Sequence, residues 1–182
     1  MRILGGNFKG KNLLGSQDLS IRPLTNRIKK SIFDSLQYFY QDKSVLDLFS
    51  GSGSFGLEAY SRGAKNVTFV EKSDNSLEIL RRNLSLLSLA EGSSTVVHSD
   101  VIKFCAGTEN SYDLILMDPP FNFPEIQELI DLIFGRKILN VQGILVVHHE
   151  ITNPISADTG TYQIKQQKKT GRSLVSYITV RK

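Results

Sequence analysis

Val45-Leu46-Asp47-Leu48-Phe49-Ser50-Gly51-Ser52-Gly53-Ser54-Phe55-Gly56-Leu57-Glu58 reads as an apolar strand, a glycine-rich turn and the opening of a helix. Val45, Leu46, Leu48 and Phe49 form a short run of the kind buried on both faces of a parallel sheet. Gly51, Gly53 and Gly56 let the backbone turn tightly and approach a ligand that a side chain would exclude. The helix behind them points unpaired N–H groups and its positive dipole end into the same space, which favours an anionic, nucleotide-like guest. By itself the G-x-G-x-x-G spacing also suits a plain turn. An acid adds weight to the ligand reading: Thr68-Phe69-Val70-Glu71 reads as the second strand, and Glu71 falls roughly 20 residues beyond the loop, where a ribose-binding carboxylate belongs. The alternative for Glu71 is an ordinary solvated strand end.

Asp47 bears on which nucleotide. An acid buried inside the first strand costs several kcal/mol unless a cation or a hydrogen-bond donor meets it. The ammonium of a methionine moiety could do so, whereas a pyrophosphate would repel it. The pattern D-x-F-x-G-x-G resembles the first motif of class I S-adenosylmethionine-dependent methyltransferases over roughly Ser44 to Glu150. On that resemblance Asp47, Phe49, Ser50, Gly51, Gly53, Glu71, Asp100 and Val101 are the expected cofactor-binding residues.

The rest of the chain alternates strand and helix. Residues 1–21 suggest a small basic hairpin or arm, with glycine pairs and Ile3, Phe8 and Leu13 in an extended pattern. A helix is predicted from a cap at Thr25 or Asn26 to about Tyr40, with Ile28, Ile32, Leu36 and Phe39 inward and Arg27, Lys30 and Asp34 outward. After the glycine loop come a helix to Arg62, a strand over Asn66–Glu71, a leucine-striped helix over Asp74–Leu89 and a strand over Thr95–His98. Asp100 stands where a methyltransferase contacts the adenine amine, and equally where a cap for a helix over Val101–Cys105 belongs. Strands over Tyr112–Asp118 and Gly143–Glu150 flank a helix over Glu125–Phe134. Tyr162–Gln167 and Leu174–Val180 make an antiparallel hairpin around Thr170-Gly171-Arg172.

Leu114-Ile115-Leu116-Met117-Asp118-Pro119-Pro120-Phe121 carries the chemistry. Two successive prolines remove two backbone donors and stiffen the turn, so the carbonyls of Asp118 and Pro119 face outward as fixed acceptors. The exocyclic amine of a nucleobase is the donor that such acceptors need. Its lone pair is delocalised into the ring, and accepting both its N–H bonds pushes the nitrogen toward a reactive geometry. Phe121 would stack on the base, which must be unpaired or flipped out to enter. A rigid turn with an acidic cap is the non-catalytic alternative for D-P-P-F.

D-P-P-F resembles the fourth motif of amino-group methyltransferases acting on adenine N6, cytosine N4 or guanine N2. With R-I-L-G-G-N-F-K-G-K-N-L, R-P-L-T-N-R-I-K-K-S-I-F and D-L-F-S-G-S-G-S-F-G-L-E-A-Y-S-R-G-A, it is similar to the RsmD family of guanine-N2 methyltransferases of bacterial small-subunit ribosomal RNA, nearly end to end. Leu24, Asn26 and Lys30 depart from the family pattern and leave the N-terminal segment more basic. The resemblance implies a Rossmann-like fold, with a seven-stranded, mostly parallel sheet, helices on both faces and a C-terminal antiparallel hairpin. It also implies S-adenosylmethionine as methyl donor, a guanine in 16S ribosomal RNA within an assembled small subunit as target, and Asp118, Pro119, Pro120 and Phe121 as catalytic residues. Competing readings are an N6-adenine DNA methyltransferase, a dinucleotide-binding oxidoreductase and a noncatalytic RNA-binding module.

With 182 residues and 40% apolar content the chain can bury one core, read as an arm over 1–21 and a methyltransferase domain over 22–182. One cysteine, Cys105, rules out an intrachain disulfide and reads as a small core residue. His98, His148 and His149 make no convincing metal-ligand set. The sequence has no signal-peptide pattern and no bilayer-length apolar span, so a soluble, cytoplasmic monomer is expected. Net charge is +4 but uneven: residues 1–30 hold seven Lys or Arg against one acid, and 159–182 hold six and no acid. Lys9, Lys11, Arg22, Arg27, Lys168, Lys169 and Arg172 are the expected contacts to a polyanion, here ribosomal RNA.

Overall fold

The computed structural model describes residues 1–15, 26–37, 39–120, 123–156 and 160–181. Arg22, Leu24, Thr25 and Phe121 lie outside the described residues. Seven strands, β1 (Ser44–Leu48), β2 (Asn66–Glu71), β3 (Ser94–His98), β4 (Tyr112–Met117), β5 (Leu139–Glu150), β6 (Tyr162–Thr170) and β7 (Ser173–Val180), form one sheet in the order β3-β2-β1-β4-β5-β7-β6. β1 to β5 pair in parallel, whereas β7 is antiparallel to both β5 and β6.

Among the described residues five helices cover the two faces: α1 (Asn26–Leu36), α2 (Ser54–Ser61), α3 (Asp74–Leu87), α4 (Val101–Gly107) and α5 (Ile126–Gly135). The apolar faces of α1, α2 and α3 share one core with Val45, Leu114, Leu116 and Val146. Those of α4 and α5 share the other with Leu46, Leu48, Ile115, Met117 and Val147. Neighbouring residues of one central strand thus feed opposite cores, which is why these strands read as unbroken apolar runs.

Several boundaries differ from the sequence expectation. α1 stops at Leu36 rather than near Tyr40, because Gln37 turns to φ +50°. α3 stops at Leu87, where Ser88 takes a left-handed conformation and donates its N–H to the Ser85 carbonyl. β4 pairs only to Met117, which leaves Asp118 just beyond the sheet. β5 begins at Leu139 instead of Gly143, with a register shift against β4 between Tyr112 and Leu114. At that irregularity a Cβ on Gly143 would come within 2.9 Å of the Asp113 carbonyl.

Residues 1–15 make a hairpin-like turn, bridged between Arg2 and Asn12, that docks on α2 and α3. Ile3 and Leu13 enter the core of α1 to α3. Glu58 of α2, fully buried, accepts the Leu4 N–H at 2.8 Å and pairs with Arg62 Nε at 2.7 Å and Lys29 Nζ at 3.3 Å. Lys29 itself is 1% exposed. Burial pushes its ammonium below the usual lysine range, and the Glu58 charge pulls it back.

Candidate active site

Val70, Leu48, Met117 and Val147 are partners across four adjacent strands. One residue further along lie Glu71, Phe49, Asp118 and His148, so the carboxyl ends of β2, β1, β4 and β5 present these four side by side. β1 continues through α2 to β2 on one side, and β4 through α5 to β5 on the other. The crevice between such diverging connections is where open α/β sheets take ligands.

The three glycines of the loop do different work. A Cβ on Gly56 would meet the Phe69 ring at 2.3 Å, and one on Gly53 would meet Leu80 Cδ1 at 2.5 Å, so both permit close packing of α2 on the sheet and on α3. Gly53 also sits at φ +86°. Gly51, at φ +55°, faces open space: a Cβ there meets nothing nearer than the Phe49 carbonyl at 4.0 Å. That opening is a place for a ligand to lie against bare backbone. Asn83 of α3, fully buried, holds the loop from behind, donating to the Ser52 carbonyl at 2.8 Å while bonding both backbone groups of Leu14.

The acids fix the loop from the front. Glu71 Oε2 accepts the Gly51 N–H at 2.8 Å, and Oε1 accepts those of Lys72 and Ser73. Asp47 Oδ2 accepts the Gly56 N–H at 2.8 Å and so meets the opening turn of α2. Burial pushes the Asp47 carboxyl up to about 8; the Gly56 bond opposes this, and the charges of Asp118 and Glu71 add to it. Asp118 and Glu71 thus each lie within electrostatic reach of Asp47. Ser50, also buried, turns its hydroxyl back to the Asp47 carbonyl at 2.7 Å and ties the end of β1 to β2 through Val70.

After β4, Pro119 is buried and Pro120 exposed, with the Pro120 carbonyl accepting from Phe123 N–H at 2.9 Å. Phe123 meets Phe49 edge to face, ring centroids 4.9 Å apart, which joins this turn to the glycine loop. Asn153 Nδ2 holds the Phe123 carbonyl at 2.9 Å. The Asp118 carboxylate, 30% exposed, lies 2.7 Å from His148 Nδ1. At the end of β3, Asp100 caps α4, accepting from Ile102 and Lys103 N–H, and Val101 behind it is buried. Phe123, Asn83 and the pairing of His148 with Asp118 were not found from the sequence. A second phenylalanine two residues after Phe121 in the sequence was the available signal for Phe123, and a histidine near the end of an apolar run that for His148.

The strand order with its reversed β7, the glycine loop closing β1 and the acidic proline turn closing β4 define a class I S-adenosylmethionine-dependent methyltransferase. Residues 1–179 match the family model described as Conserved hypothetical protein 95. The chain is 30% identical over 172 residues to the ribosomal RNA small subunit methyltransferase D of Escherichia coli (strain K12), covering 94% of this chain and 86% of that protein. It is 30% identical over 179 residues to the protein of the same name from Haemophilus influenzae, covering 97% and 91%. The solved structure of yhhF from Escherichia coli, proposed to be a methyltransferase, superposes with a TM-score of 0.89 at 28% identity, covering 100% of this chain and 98% of that one. The chain belongs to this family, that of the RsmD methyltransferases.

Proposed function

We propose that this chain transfers a methyl group from S-adenosylmethionine to the exocyclic N2 amine of a guanine in 16S ribosomal RNA, within an assembled small subunit. The carrying observation is Asp118, a partly exposed carboxylate at the switch point, beside the end of β1 and its glycine loop. The cofactor supplies the methyl as an electrophile on a sulfonium. Gly51 offers the bare backbone it would lie on, Glu71 the acid at the ribose, Asp100 and Val101 the adenine end, and Phe49, Ser50 and Gly53 the wall around them. Asp118 and the Pro119 carbonyl accept the amine's N–H bonds and turn its lone pair toward the methyl carbon, with Pro120 stiffening the turn. The nitrogen forms the new bond to carbon, the carbon–sulfur pair stays with sulfur, and the nitrogen sheds one proton, for which the Asp118 carboxylate is the acceptor at hand.

The RNA reading is supported by the names of the relatives and by where the basic residues lie. His148 is opposite Val175, which is opposite Lys168, so Lys168 stands two strands along the same row as the proposed site. Its Nζ donates to Ser35 Oγ at 2.6 Å, and with Arg27 and Lys30 it lines a groove between α1 and β6. Lys169 and Arg172 border the β6–β7 turn at the same end of the sheet, where the Arg172 carbonyl accepts from Ile151 N–H. Lys9 and Lys11 are exposed on the N-terminal hairpin. In this reading the arm over residues 1–21 and these segments grip phosphates around a splayed-out base while the domain over 22–182 acts on it. Among the described residues no helix is long and apolar enough to cross a membrane, and we place the chain in the cytoplasm as a monomer.

Tritiated S-adenosylmethionine, incubated with small subunits from cells lacking the corresponding methylation, is expected to yield labelled N2-methylguanine in 16S RNA. Label in adenine N6 of DNA and none in the subunits would refute the assignment. With its carboxyl pushed up to about 8, Asp47 is mostly protonated at pH 7, and a cofactor ammonium favours its ionised form. Binding is therefore expected to release protons, and affinity to rise with pH until about pH 8. Calorimetry in two buffers of different ionisation enthalpy counts them; equal counts for the parent and Asp47→Asn would remove Asp47 from that role.

A further inference from the structure

We infer that His148 is a positioning residue for Asp118: its Nδ1–H holds the carboxylate in the one orientation from which the remaining oxygen and the neighbouring proline carbonyl can receive an amine. The inference rests on the reading of Asp118 given above. Asp118 lies one residue beyond the last paired position of β4, is 30% exposed and has two rotatable side-chain bonds. Left to itself such a group samples several rotamers and is hydrated in each. His148 is 5% exposed and sits inside β5, where its backbone is fixed on the far side by pairing with Val175 of β7. Met117 and Val147 are register partners, so the next residues stand side by side and point to the same face. The 2.7 Å between Nδ1 and Oδ1 is a charge-assisted length. A carboxylate can only accept here, so the imidazole nitrogen is the donor.

The neighbouring histidine shows what a purely structural histidine looks like in this strand. His149 faces the other way, with Nδ1 against the carbonyls of Glu150 and Asn153 and Nε2 against Ser176 Oγ at 2.8 Å. Its contacts all serve the join of β5 to β7 and the turn after β5, and burial pushes its basicity down. His148 instead spends its Nδ1 on the one acid of the proline turn. Two adjacent residues thus divide the tasks: one secures the strand, the other orients the acid.

The test is a cycle of single-turnover rates on small ribosomal subunits at saturating S-adenosylmethionine, with cofactor binding measured by calorimetry on each variant. His148→Ala is expected to lower the rate about tenfold or more while leaving cofactor affinity within about twofold. Added to Asp118→Ala it should cost nothing further, because its effect passes through the lost carboxylate. His148→Asn places an amide N–H near the position of Nδ1 and should restore most of the rate. His148→Gln, whose amide reaches toward the position of Nε2, should not. That last contrast holds even if the alanine variant fails to fold. Equal rates for the asparagine and glutamine variants, or an undiminished rate for His148→Ala beside a slowed Asp118→Ala, would overturn the positioning role and leave the reading of Asp118 intact. An equal loss from His148→Ala in both backgrounds would overturn it as well. Full turnover by Asp118→Ala would instead overturn the reading of Asp118 itself.

Discussion

Replacing Asp118 with alanine is expected to slow methyl transfer roughly 10- to 150-fold, the equivalent of one charge-assisted hydrogen bond of about 1.5 to 3 kcal/mol lost from the transition state. The amine's nitrogen gains positive charge and its N–H bonds become more acidic as it forms the new bond, so an anionic acceptor on its N–H is worth more then than in the ground state. The loss should therefore fall on kcat at saturating cofactor and RNA. Cofactor affinity should change little, because Glu71 and the loop backbone remain in place. Asp118→Asn keeps a neutral acceptor and should fall between parent and alanine. Single-turnover rates with the three proteins check this, and an alanine variant as fast as the parent would leave the proline turn without a chemical role.

Glu58→Ala is expected to destabilise the fold by about 3 to 5 kcal/mol, the range for removing one partner of a buried ion pair. The carboxylate is fully buried and serves three elements at once: Lys29 of α1, Arg62 at the end of α2 and the Leu4 N–H of the N-terminal hairpin. Its loss leaves the Lys29 ammonium buried without its counter-charge, although the Arg2 carbonyl still accepts from Nζ at 2.8 Å. It also frees the turn that carries Lys9 and Lys11 from its anchor at Leu4. Urea unfolding measures the shift in midpoint. Adding Lys29→Met should recover much of the loss, since the uncompensated charge goes with it. A shift below about 1 kcal/mol for the single variant would mean that water reaches Lys29.

The alternation of strand and helix was legible because β1 and β4 are apolar runs and α3 and α5 carry apolar residues at helical spacing, whereas the order of the strands in the sheet emerged only from their pairing. Helix ends were less legible. Gln37 and Ser88 take left-handed conformations that neither residue type advertises, so α1 and α3 stop earlier than their apolar spacing suggests. The start of β5 was misplaced for a related reason: Gly143 reads as a strand opening, yet it lies at an irregularity inside a longer strand, where only the close Asp113 carbonyl reveals why it is glycine.

What the amino-acid order determined by itself is the local chemistry: the glycine spacing after β1, the acid closing β2 and the stiff acidic turn closing β4, each a property of a few consecutive residues. What only the tertiary structure decided is which of those residues have partners. Asp118 meets His148 across 30 positions, Glu58 meets Leu4 across 54 and Asn83 meets Leu14 across 69. The physical reason is that hydrophobic periodicity records which face of an element is buried, whereas a hydrogen bond between distant side chains depends on strand register and helix placement, which no local pattern encodes.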